Sequence, residues 1–152
     1  YGAYTMFEAD AYAGTFRFAS SIRAEVTDSA LLEVMRELKE ITASGLTEEE
    51  LAFIRSAIGQ RDALRYETAL QKALFISRIQ QYNLPAQYVR QQSRLLQRIT
   101  REELNRIGQQ YIRPEQTNIV LVGDKSKIYD KVRKLGYEIV ELDVEGAPVK
   151  DF

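Results

Sequence analysis

The 152-residue sequence contains no histidine and no cysteine. Zinc in proteins is held by thiolate, imidazole and carboxylate, and a site made only of Asp and Glu suits Mg²⁺ or Ca²⁺ better. A zinc site within this chain is therefore not expected. Without His or Cys there is no Ser-His-Asp or Cys-His nucleophilic pair, and no side chain whose unperturbed pKa lies near neutrality. No complete hydrolytic centre is visible, and no cofactor is indicated. The lack of Cys leaves the redox compartment open, because proteins of oxidising and reducing compartments alike can do without disulfides. Long apolar runs are missing too, none approaching the ~20 residues of a membrane-spanning helix. So is an excess of either charge: 21 Lys and Arg face 22 Asp and Glu, and no global basic field draws nucleic acid or an anionic membrane.

What is present fits one water-soluble domain, since a chain of this size buries roughly 70% of its unfolded surface on folding. Tyr1 to Phe7 alternates like a β-strand, Glu8 to Gly14 is a polar and small-residue loop, and Thr15 to Ile22 alternates again, so a β-hairpin opens the chain. Thr27 or Asp28 can cap a helix with apolar Leu31, Val34, Met35, Leu38 and Ile41, and Gly45 stands where a left-handed C-terminal cap belongs. That helix is expected to pack across the hairpin, with Phe16 and Phe18 in the core.

Thr47 with Glu50 forms a capping box, flanked by Leu46 and Leu51 as a hydrophobic staple, and the second helix runs to about Tyr66. A third runs from about Thr68 to Tyr82 and stops at Asn83-Leu84-Pro85, and Ala86 to Gln97 gives a fourth. Ile99, Thr100, Glu103 and Leu104 repeat the box and staple before a fifth helix that ends near Ile112. Asn118 to Val122 reads as a strand buried on both faces or under helices, Ser126 to Leu135 as a short helix, and Tyr137 to Leu142 as an edge strand. The expectation is a single α+β domain over residues 1–143 with a tail at 144–152. Its mostly antiparallel sheet, the hairpin plus two C-terminal strands, packs on a layer of five to six helices.

That order, with Tyr1-Gly2-Ala3-Tyr4 opening the hairpin, the Gly45-to-Leu51 joint, Leu84-Pro85 with Tyr88, the Ile99-to-Leu104 joint, Tyr111 with Pro114, and Val120-Leu121-Val122-Gly123-Asp124, resembles the C-terminal half of peptidases of the insulinase or pitrilysin family. The resemblance covers nearly the whole chain. It implies a ferredoxin-like half of a clam-shaped zinc metalloendopeptidase, with peptide substrates enclosed between this half and a zinc-bearing one in the same chain or a partner subunit. It further implies that His-x-x-Glu-His and its Zn²⁺ belong to that other half. An Arg and, seven positions later, a hairpin Tyr would reach the substrate from this side, and Tyr1 matches the Tyr by its place at the head of the Gly-Ala-Tyr strand. The Arg would lie upstream of Tyr1.

A phenol of ordinary pKa, ~10, stays protonated at neutral pH and donates a hydrogen bond to a polarised carbonyl. Tyr1 is otherwise a strand aromatic packed on a neighbour. The alternative within the same family is a catalytically silent structural or partner subunit, and a generic ferredoxin-like binding module is a third reading.

Three further patterns have structural explanations. Arg90, Arg94 and Arg98 make a basic stripe with Arg101 behind it, suited to acidic peptides or simply solvated. Glu48 to Glu50 answer a helix dipole, and Val122 to Ser126 lacks the spacing of a phosphate loop and reads as a turn with a cap. The opening on a strand residue reads as a piece of a longer protein, whose uncovered edge leads to an oligomer. The resemblance leans the location toward the bacterial periplasm.

Overall fold

A computed structural model of the chain describes residues 2–8, 12, 14–64 and 67–149, the side chains of 61–64 excepted. It is an α+β structure. A two-stranded antiparallel sheet, β1 (Ala3–Glu8) and β2 (Thr15–Ser20), precedes six helices: α1 (Thr27–Ser44), α2 (Glu48–Leu64), α3 (Ala69–Gln81), α4 (Tyr88–Arg98), α5 (Arg101–Tyr111) and α6 (Lys125–Arg133). The register runs without a bulge from Ala3 opposite Ser20 to Glu8 opposite Thr15. At the loop end Phe7 meets Phe16, ring centroids 4.8 Å apart, while Arg17 reaches Glu8 at 2.6 Å and the Thr15 hydroxyl donates to the same carboxylate.

Helix starts follow local chemistry. The Thr47 hydroxyl accepts from the Glu50 N–H at 3.2 Å while the Glu50 carboxylate accepts from the Thr47 N–H at 2.8 Å, and Thr100 with Glu103 repeats the exchange. A third box, Thr68 with Gln71, opens α3. That helix ends in a Schellman motif: Asn83 takes a left-handed φ of 47°, the Leu84 N–H donates to Ile79 O at 2.9 Å, and the Asn83 N–H donates to Gln80 O.

Three expectations need correction. Thr27 and Asp28 do not cap α1. A 3-10 turn at Ala24–Val26 feeds directly into the helix, Thr27 is already helical, and its hydroxyl donates back to Ala24 O. Nor is the hairpin the partner of α1's buried face. Leu31 and Met35 join Val132 of α6 in the core, with Leu38, Ile119 and Leu135 packed against them, and every residue of β1 is exposed.

Third, the expected C-terminal strands are not formed among the described residues, so the sheet has two strands, not four. In 118–122 Ile119 packs on the core while Val122 is 97% exposed, so the segment is covered on one side only. Residues 137–142 contribute one isolated bridge, Leu142 to Pro148. A strand needs a neighbour along its length to take up its backbone groups, and among the described residues 118–122 has none while 137–142 is met only at Glu141 and Leu142.

The joint between α1 and α2 is the most constrained turn. Gly45 sits at φ 73°, ψ −171°, a region other residues enter at a cost of about 1–3 kcal/mol. Its N–H closes α1 on Ile41 O at 3.0 Å. A Cβ at this position would collide with the Asn105 carboxamide of α5, whose Oδ1 accepts the Leu46 N–H at 2.8 Å. Gly45→Ala is expected to lower stability in urea unfolding by about 2–3 kcal/mol, and Asn105→Ala by about 1–2 kcal/mol. The double variant should cost less than the sum, because removing the carboxamide removes the collision; strict additivity would disprove the coupling.

Candidate functional site

Tyr1, to which the resemblance assigns substrate contact, lies outside the described residues. So do Tyr66 and residues 150–152 of the expected tail. The sequence candidates inside the structure lie on α2, α4 and α5 and at the start of α6.

On α4, Arg90, Arg94 and Arg98 recur every four residues and all three are exposed. Among the described residues none has an ion-pair partner. Arg98 lies in the last turn of α4, where a cation answers the helix's negative end. At the other end Ala86, Gln87, Val89, Arg90 and Ser93 line an open depression of about 650 Å³. One guanidinium, a hydroxyl and an amide there can hold a polar or anionic chain. Ser93 contributes its hydroxyl to this wall.

Arg101 leaves the stripe. Its Nε lies 3.3 Å from Glu48 Oε1, and its other guanidinium nitrogen 3.2 Å from Glu102. Glu48 belongs to the first turn of α2, so the structure joins two residues that the sequence reading treated apart. Glu50 is held in its capping box. Asp124 caps α6, accepting from the Ser126 N–H at 3.0 Å and the Ser126 hydroxyl at 2.7 Å, which is the turn-and-cap expected of Val122 to Ser126. No group of three or more His, Cys, Asp or Glu among the described residues is placed to hold a metal ion, and no helix there is long and apolar enough to cross a membrane.

The residue that organises this region was not singled out by sequence. Arg55, half-buried on α2, donates from Nε to Leu96 O at 3.2 Å and from a terminal nitrogen to Ile99 O at 2.6 Å. Those carbonyls lie at the C-terminal end of α4, where intrahelical donors run out. One fork thus neutralises the end of α4 and ties it to α2. Its only local signal is a position one turn beyond Leu51, which marks the inner side of α2 but not the partner 41 residues away.

Surface charge is organised by arginine as well. Arg36 bonds Glu33 through both carboxylate oxygens, at 2.6 and 3.0 Å, and also reaches Glu37 and Glu40. The bonds from Arg36 hold the Glu33 carboxyl below the usual carboxylate range. The bonds from Ser126 lower Asp124, and for Glu102 the backbone hydrogen bond leads and Arg101 adds to it.

The chain matches no protein-family model, no curated protein and no solved structure.

Two outcomes follow from this geometry. Arg55→Ala should cost about 2 kcal/mol in urea unfolding, and Arg55→Lys should restore only part of it, because an ammonium cannot fork to two carbonyls. Full recovery with Lys would show that charge alone matters. Glu33, Glu102 and Asp124, whose folded-state pKa values are lowered, contribute stability that is present above their unfolded values of ~4 and lost as pH falls through the folded ones. Carboxylate titration by NMR should show Glu33 rising toward its ordinary value in Arg36→Gln while Asp124 stays in place.

Proposed function

We propose that this chain is the zinc-free part of an insulinase- or pitrilysin-type zinc metalloendopeptidase. It encloses and orients peptides that a zinc-bearing half hydrolyses. The observation that carries the reading is the ordered set of joints along the chain, above all the two staple-and-box helix starts at Leu46-Thr47-Glu50-Leu51 and Ile99-Thr100-Glu103-Leu104. Both boxes are built as hydrogen-bonded caps and set the starts of α2 and α5. The count of zero His agrees with a division of labour in which metal chemistry belongs elsewhere. The α+β class agrees with the reading at the level of class, with two sheet strands among the described residues where the family half would carry more.

In this reading Tyr1 donates a hydrogen bond to the substrate carbonyl as negative charge develops on it, and a donor so placed is worth about 3–4 kcal/mol of transition-state stabilisation. The open depression at the start of α4, with Arg90 on its wall, supplies a further contact for peptide. A silent structural subunit of the same family shares the fold but makes no such contribution.

The test uses a quenched fluorescent peptide. The chain alone should neither bind Zn²⁺ tightly nor cleave; mixed with its zinc-bearing half, it should support cleavage that a chelator abolishes. Tyr1→Phe should then lower kcat by about 10²- to 10³-fold with little change in KM. Chelator-sensitive cleavage by the chain alone would refute the division of labour, and full activity in Tyr1→Phe would assign the silent role.

A further inference from the structure

We infer that the outer edge of β1 pairs with β1 of a second copy of this chain, joining two hairpins into a four-stranded antiparallel sheet across a two-fold axis. Every residue of β1 is exposed, and β2 is its only partner among the described residues. A two-stranded ribbon is marginal on its own, and three or more strands are the usual minimum for independent stability. The devices that protect an edge are also missing. Ala3 to Glu8 contains no Pro and no Lys, the register has no bulge, and the one charge, Glu8, is turned to Arg17 of the same hairpin.

The edge is complementary to itself. Across a two-fold axis normal to the sheet, residues of like parity oppose one another. Placing Thr5 opposite Thr5 of the second copy sets Tyr4 against Met6 and Ala3 against Phe7, which gives a Thr–Thr pair and an aromatic–thioether contact. Tyr4 is 59% exposed and Phe7 64%, so both gain from cover. The neighbouring register, centred on Met6, would set Tyr4 against Glu8 and compete with its ion pair to Arg17. The inference does not depend on the peptidase reading.

Because the chain has no cysteine, Thr5→Cys introduces a single thiol pair at the proposed axis. Opposed residues of an antiparallel ladder lie ~4.5–5.5 Å apart at Cα, within disulfide reach. Oxidised Thr5→Cys should run as a covalent dimer on non-reducing gels, while Ser29→Cys, exposed on α1, should not. By sedimentation, wild type should be a monomer–dimer equilibrium. Thr5→Lys and Thr5→Glu, each with unchanged far-UV circular dichroism, should raise its dissociation constant by at least about tenfold, and their equimolar mixture should restore a heterodimer visible by native mass spectrometry. A wild type that stays monomeric at about 100 μM, far above a micromolar dissociation constant, overturns the inference. So does Thr5→Cys that cross-links no better than Ser29→Cys, or an extended peptide that occupies β1 while the chain stays monomeric.

Discussion

The helical part of this chain depends on one hydrogen bond between segments 59 residues apart, from the Leu46 N–H to the Asn105 side chain. The bond exists because Gly45 adopts a backbone conformation that turns α1 into α2 and because Gly45 has no Cβ to displace the carboxamide. The same α2 then carries Arg55, which satisfies two carbonyls at the end of α4. Each tie takes up a backbone group at or beside a helix end, where intrahelical partners are missing. Their weight is large because the apolar core is small. Among the described residues the buried apolar set is Leu31, Met35, Leu51, Val132 and Pro114, so side chains bonding to distant helix ends do what a larger core would otherwise do.

A small core and a large surface are two sides of one fact. Val120, Val122, Val140 and Leu142 are exposed beyond half of their area, as are Leu70, Leu74 and Phe53 on the helices. Scattered apolar residues on a surface are normal, whereas this many in successive segments mark faces made to be covered. The proposed role, as one wall of a chamber that docks against another, gives such faces a purpose. It also accounts for a basic stripe on α4 left without counter-ions among the described residues, since charges on a chamber wall act on what the chamber holds.

Most helix boundaries were legible because they are local. A Thr with a Glu three residues on defines a start whatever the rest of the chain does, and the starts of α2 and α5 fell where the boxes placed them. The Thr68-Gln71 box carries the same signal with Gln in place of Glu. The start of α1 misled for a related reason: Thr27 and Asp28 have capping side chains, but the 3-10 turn before them had already begun the winding. The strands at 118–122 and 137–142 were not legible, because a continuous apolar run or an apolar alternation shows only that a segment suits a sheet and not that a neighbour lies beside it. The candidate site divides the same way. Asp124 was readable as a cap from its own turn, while Arg55 and the Arg101–Glu48 pair depend on contacts that no local pattern encodes.

That distinction explains why the hairpin forms while the later strands do not. β1 ends at Glu8 and β2 begins at Thr15, so each brings its partner with it at small entropic cost. The segment at 118–122 has the stronger apolar run but no strand paired with it among the described residues, and it places Ile119 against the core and Val122 in solvent. Strand propensity in the two regions is comparable; the supply of a partner is not. The hairpin solves this problem on one side only, because pairing β1 with β2 leaves the other side of β1 in the condition of 118–122, with backbone donors and acceptors facing outward. An edge with no Lys, Pro or bulge to repel a neighbour, and with its one charge turned to Arg17, is therefore the place where this chain most readily takes a partner from another molecule.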